Sequence, residues 1–178
     1  MTQPRAVQSL FHVNINCSDL DASVAFYVRL GFTIQMATDR YTGESDESYR
    51  AMGVDGPIEH RGPVVLFLGD DPRQTRLDLM QWIAPSEERS TPVAIAPHRV
   101  GVPRIALWTK GIGELYDRLS AEGVVFITPP AGPFPDRAIQ AMVALADPDG
   151  LIVELIEFLP HTRQLIADGA VRTSPAPA

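Results

Sequence analysis

HVNINCSDLDASVAFYVRLG, residues 12–31, changes its hydrophobic period once, from two to about 3.6. Phe11, Val13 and Ile15 alternate with His12, Asn14 and Asn16, the pattern of a half-buried strand with the three polar residues on one face. From Leu20 onward, Val24, Tyr27 and Val28 fall at helical spacing. Ser18 and Asp21 resemble a capping box with a shortened acid, and Gly31 supplies the stop. Strand-like runs follow at 32–36, 64–68 and 77–83, so the segment predicts strand, helix and three strands.

The same order recurs in RIALWTKGIGELYDRLSAEG, residues 104–123. Residues 104–108 read as a strand, Ile112, Leu115, Tyr116 and Leu119 make a helical stripe, and Gly123 stops it, as far from Arg104 as Gly31 is from His12. Runs at 124–127, 138–145 and 151–156 supply three more strands. The domain reading is a first module at 7–84, a Pro-containing linker at 85–99, a second module at 100–160, and a tail at 161–178 whose lack of periodicity predicts poor order. The first module is longer, and the extra residues sit in Thr38–Pro63, a Gly-rich charged stretch that includes Tyr41, Tyr49, His60 and Arg61. It reads either as a solvated loop or as a lid over a binding site, with Tyr49 a candidate substrate contact.

Composition removes several classes of function. Fifteen Lys and Arg against 22 Asp and Glu leave a net charge of −7, which disfavours nucleic acid and anionic lipid surfaces. No apolar run approaches the roughly 20 residues of a membrane-spanning helix. The N-terminus has no continuous apolar segment of the secretory kind, and Cys17 is the single cysteine, so the expectation is a cytoplasmic protein without disulfides. There is no phosphate-cradling Gly-rich loop ending in Lys-Ser or Lys-Thr, no serine nucleophile elbow and no paired-cysteine zinc pattern.

Four strings carry a family resemblance: Asp19-Leu20-Asp21, Phe26-Tyr27, Leu30-Gly31-Phe32, and Ala146-Asp147-Pro148-Asp149-Gly150. Together they resemble the vicinal oxygen chelate superfamily, which holds glyoxalase I, methylmalonyl-CoA epimerase, extradiol dioxygenases, and the fosfomycin and bleomycin resistance proteins. The resemblance implies an α+β fold of two tandem βαβββ modules forming a half-barrel cleft, and a homodimer.

In metal-using members the ligands come one from each of four strands, and the matching positions here are His12, Asp78, Arg104 and Glu154. Arg104 offers donors only and cannot give a lone pair to a cation. The resemblance therefore implies no favoured metal or other cofactor, with a weak divalent site from His12, Asp78 and Glu154 as the residual alternative. Arg104 would instead be the resident cation between the carboxylates, either catalytic or part of a closed salt-bridge network. Period-two reading adds Asn14, Met80, Trp82, Ala106, Trp108, Ile152 and Ile156 to the same face. Of these, Asn14, Met80, Trp82, Trp108 and Ile156 are candidate substrate contacts, or simply core. Gln81 falls on the other face, and His98 and His161 read as surface residues.

These residues lead to a small-molecule enzyme performing isomerase, epimerase or lyase chemistry by proton transfer next to a carbonyl. His12 is then general base or acid, Asp78 and Glu154 orient it or carry the second proton, and Arg104 stabilises the enolate oxygen. A second reading is a metal-free protein that sequesters a drug or natural product, with Trp82 and Trp108 stacking on it. A third is a metal-dependent glyoxalase or epimerase. Extradiol cleavage is disfavoured because the resemblance requires a second histidine where Arg104 stands.

Overall fold

The computed structural model describes residues 10–69, 74–86, 101–102 and 104–162. The chain divides into two compact units, Met1–Val93 and Ala94–Ala178. The linker expected at 85–99 and the tail expected from 161 lie, apart from residues 85–86 and 161–162, outside the described residues, as does His98. His161 is exposed.

The first unit runs β1 (His12–Asn16), α1 (Leu20–Arg29), β2 (Thr33–Ala37), β3 (Arg40–Glu44), α2 (Glu47–Ala51), β4 (Pro57–Phe67) and β5 (Arg76–Ala84). Its sheet has the order β1-β5-β4-β2, with β1 and β5 parallel. The 11-residue β4 is shared, since β3 pairs with its first half and β2 with its second. Helix α1 starts at Asp19, not at the expected Ser18: the Asp19 carboxylate accepts from the Ala22 N–H at 3.1 Å. Asp21, expected to complete the cap, instead takes both arms of the Arg61 guanidinium at 3.0 and 2.9 Å. The helix packs on β4 and β5, burying Leu20, Phe26 and Tyr27 over Leu66, Leu77 and Leu79. Tyr27 meets Phe26 and Phe32 edge-on. Cys17 is buried, as expected, and its thiol donates to the Ile15 carbonyl oxygen.

The Thr38–Pro63 stretch is neither an irregular loop nor a detached lid. It contains β3, the short helix α2 capped by Asp46, and the first half of β4. A bulge makes this addition compatible with the rest of the sheet. Before it, His60 pairs with Trp82 and Arg61 with Gln81; after it, Val64 pairs with Leu79 and Val65 with Asp78. One extra residue on β4 thus moves its even-numbered side chains from one sheet face to the other. His60 shares the face of Trp82, whereas Val64 and Leu66 lie under α1 with Leu77 and Leu79. Gly62 sits at the bulge with φ +88°, and a Cβ there would stand 2.7 Å from the Leu79 carbonyl oxygen.

The second unit runs β6 (Arg104–Trp108), α3 (Ile112–Ala121), a 3₁₀ turn (Pro135–Arg137), β7 (Ile139–Ala146) and β8 (Ile152–Phe158), with the sheet order β6-β8-β7. The bounds of β6 and α3 fall 92 residues after those of β1 and α1. The Glu157 carboxylate on β8 accepts from the N–H groups of Gly111 and Ile112, both at 3.1 Å, and so closes the start of α3. Asp147 folds the Asp-Pro-Asp-Gly turn by accepting from the N–H groups of Asp149 and Leu151. The strand expected at 124–127 does not form. Phe126 makes an isolated bridge to Leu145, followed by bridges from Ala131 to Met142 and Phe134 to Ile139. Pro129, Pro130 and Pro133 lack the N–H groups a continuous ladder needs.

Candidate functional site

Each sheet has one face under its helix and one face away from it. On the first sheet, Arg61 bonds to Asp21 of α1, and Gln81 bonds to the Leu20 N–H and the Ser18 carbonyl. The odd-numbered β5 residues therefore point toward the helix, Gln81 as expected. The parallel register Asn14↔Asp78 and Asn16↔Met80 places His12, Asn14 and Asn16 on the far face with Asp78, Met80 and Trp82.

At one end of that face Asp78 is half-buried, flanked by His12 and hydrogen-bonded by Asn14. Its Oδ1 is buried and has no hydrogen-bond partner. Loss of water raises the carboxyl's pKa above the ordinary aspartate value, against the opposing pull of the His12 charge and the Asn14 hydrogen bond. His12 and Asn14 are exposed. Arg76, paired across from His12, is engaged by Gln35 at 2.6 Å and lies over the Phe11 ring. A carboxyl that holds a proton more readily than usual beside an accessible imidazole is equipped to move protons.

At the other end Trp82 donates its indole N–H to Asn16 Oδ1 at 3.1 Å. His60 and Tyr49 meet the Trp82 ring at 5.4 and 6.2 Å, both edge-on, and Tyr41 stacks on His60 at 5.4 Å. The Tyr49 hydroxyl and His60 Nε2 are 2.6 Å apart. Tyr49, a candidate substrate contact in the sequence, is brought to this face by α2. His60 and Tyr41 were not among the favoured site residues. Their signal was the Gly62-Pro63 pair just before the apolar run at 64–68, a bulge marker that moves upstream side chains to the opposite face.

On the second sheet the register Ala106↔Glu154 and Trp108↔Ile156 places Arg104, Trp108, Glu154 and Ile156 on one face. Arg104 Nε lies 3.5 Å from Glu154 Oε1. The acid and base here stand on the same two strand positions as Asp78 and His12 in the first sheet. Trp108 is 46% exposed. A groove of about 230 Å³ beside α1, bordered by Arg61, Asp21 and Val64, lies on the helix side of the first sheet and includes none of the predicted residues.

No helix among the described residues is long and apolar enough to cross a membrane. Among the described residues of either unit, no three His, Cys, Asp or Glu side chains are grouped to hold a metal ion.

Comparison with known proteins gives a consistent fold. Residues 9–155 match the family described as the Glyoxalase/Bleomycin resistance protein/Dioxygenase superfamily. A glyoxalase family protein from Bacillus cereus superposes with a TM-score of 0.70 at 16% identity, covering 89% of this chain and 99% of that one. The trypanothione-dependent glyoxalase I of Leishmania major gives 0.55 at 21%, covering 92% and 94%. An antibiotic binding protein from a Streptomyces species gives 0.54 at 19%, covering 87% and 99%. No curated protein matches the sequence.

Proposed function

The chain belongs to the glyoxalase/bleomycin resistance protein/dioxygenase superfamily, and from that premise we propose that it is an enzyme moving a proton next to a carbonyl without a divalent metal. The observation that carries this reading is the Asp78 carboxyl, desolvated and unpartnered at Oδ1 beside His12. In the reaction, one of the pair takes a proton from the carbon next to the substrate carbonyl, leaving an enolate. A proton then returns to the same or a neighbouring atom, and the base is regenerated. Isomerisation and epimerisation both balance on this scheme with no other reactant.

The metal of the wider family does not fit this donor set. Arg104 stands at one of the four ligand positions implied by the resemblance, it has no lone pair to give, and it already faces the Glu154 carboxylate. No step is therefore routed through a metal. Mass spectrometry of metals in untagged protein purified without chelator is expected to find background levels. Near-stoichiometric zinc, nickel, manganese, iron or cobalt would restore the metal-dependent reading.

The test is exchange of carbonyl-adjacent protons in deuterated water, followed by nuclear magnetic resonance over a panel of ketones and 2-oxo acids. Protein-dependent exchange is expected for some member, and His12→Ala should lower it by about 10²-fold with the fold intact by circular dichroism. A His12→Ala variant with full activity would remove His12 from the mechanism. The second reading, sequestration of a natural product, is favoured by the fold shared with an antibiotic binding protein and by exposed Trp108. A sequestering protein would show no exchange on any ketone and would return its ligand unchanged after denaturation.

A further inference from the structure

The four rings of Tyr41, Tyr49, His60 and Trp82 lie on the face of the first sheet turned away from α1, so the hydrophobic core under that helix does not account for them. Tyr41, Tyr49 and Trp82 keep part of their surface exposed, while His60 is 2% exposed and its buried Nδ1 has no partner. A leucine or phenylalanine would fill that space without a stranded polar atom, so ordinary packing does not explain the choice of histidine. Every ring is also held in place. Asn16 fixes the Trp82 indole, the Tyr49 hydroxyl fixes the His60 ring, and Tyr41 stacks on His60 with 18° between planes. A wall of fixed rings loses little entropy when a flat ligand lands on it. Trp82 lies four residues beyond Asp78 along the same strand face, about 13 Å away.

We propose that Tyr41, Tyr49 and Trp82, backed by the buried His60, form a stacking wall for a planar aromatic group, and that the ligand is therefore an aryl-bearing carbonyl compound long enough to reach from Asp78 to Trp82. This rests on the reading of that face as the ligand face and adds to it the ligand's chemical class. A small aliphatic carbonyl compound would leave the wall unused.

The test compares a naphthyl-substituted methyl ketone with its fully hydrogenated decalinyl counterpart, which has similar bulk and no π face. Dissociation constants are measured by equilibrium dialysis on the full chain. The wild-type protein is expected to bind the naphthyl ketone about three- to tenfold more tightly. Trp82→Leu should bring the ratio to about one, as should Tyr49→Leu, which alters the added segment rather than the sheet. Equal affinities in the wild type, a preference that survives both substitutions, or no saturable binding of either ketone would each overturn the proposal. The measurement needs no turnover. Absence of proton exchange with the ring preference intact counts against the reaction alone, and exchange without ring preference counts against the wall alone.

Discussion

Asp78→Asn is expected to slow carbonyl-adjacent proton exchange by about 10²- to 10⁴-fold and, at the same time, to make the protein harder to unfold near neutral pH. The two effects have one cause. Burial raises the Asp78 pKa in the folded chain above its unfolded value, so the folded state holds this proton more readily than the unfolded one. The favourable contribution is complete at pH below the unfolded pKa and is lost as pH rises through the folded pKa. Near neutrality the wild type carries a desolvated negative charge, which asparagine avoids while keeping a similar shape and one oxygen acceptor. Calorimetry of both proteins should show a higher melting temperature for Asp78→Asn near neutrality, with the gap closing in mild acid. A variant that is both slow and less stable would identify Asp78 as an ordinary structural carboxylate. His12 stays in place in this experiment, so its imidazole tests whether one carrier of the pair suffices.

Gly62→Ala is expected to cost about 2–4 kcal/mol, among the larger losses available to a single methyl group in this chain. Part is the positive φ, which an L side chain enters at about 1–2 kcal/mol. The rest is the approach of the new Cβ to the Leu79 carbonyl oxygen and the Val64 nitrogen, atoms of the ladder itself that move only if the bulge opens. Gly53 separates the two parts, since its φ of +82° is similar and a Cβ there would meet nothing within 4 Å. Urea denaturation should therefore show a markedly smaller midpoint shift for Gly53→Ala than for Gly62→Ala, with the slope unchanged in both. Equal shifts would mean that the close approach at Gly62 is relieved without cost.

The front of each unit was legible in the sequence because its signals are local. Period two at His12–Asn16, helical spacing from Leu20 and a glycine stop need no knowledge of the rest of the chain, and they recur intact from Arg104. Asp78 and Glu154, the positions implied by the resemblance, share strand faces with His12 and Arg104 respectively, since a residue's face follows from parity until something breaks the count. Gly62 breaks it. Parity read back from Val64 would place His60 under α1, and only the pairing of His60 with Trp82 shows otherwise. The five-residue α2 buries none of its own side chains and has too few turns for an apolar stripe, so nothing local announced it. At Val124–Ile127 the error ran the other way. A β-branched run reads as a strand, but the prolines just beyond it prevent the neighbouring chain from completing the ladder.

The extra residue at Gly62 has a consequence for how such a protein diversifies. It absorbs the change of face within a single step, so the strand beyond it keeps its register with β5 and β2 whatever sequence precedes it. Upstream of Arg61, which still bridges to Asp21 of α1, length and composition can drift, be exchanged between relatives or be rebuilt by an engineer without disturbing the packing under α1. Scaffold and recognition surface can therefore change at separate rates, and one domain design can acquire new chemical tastes through its least constrained segment.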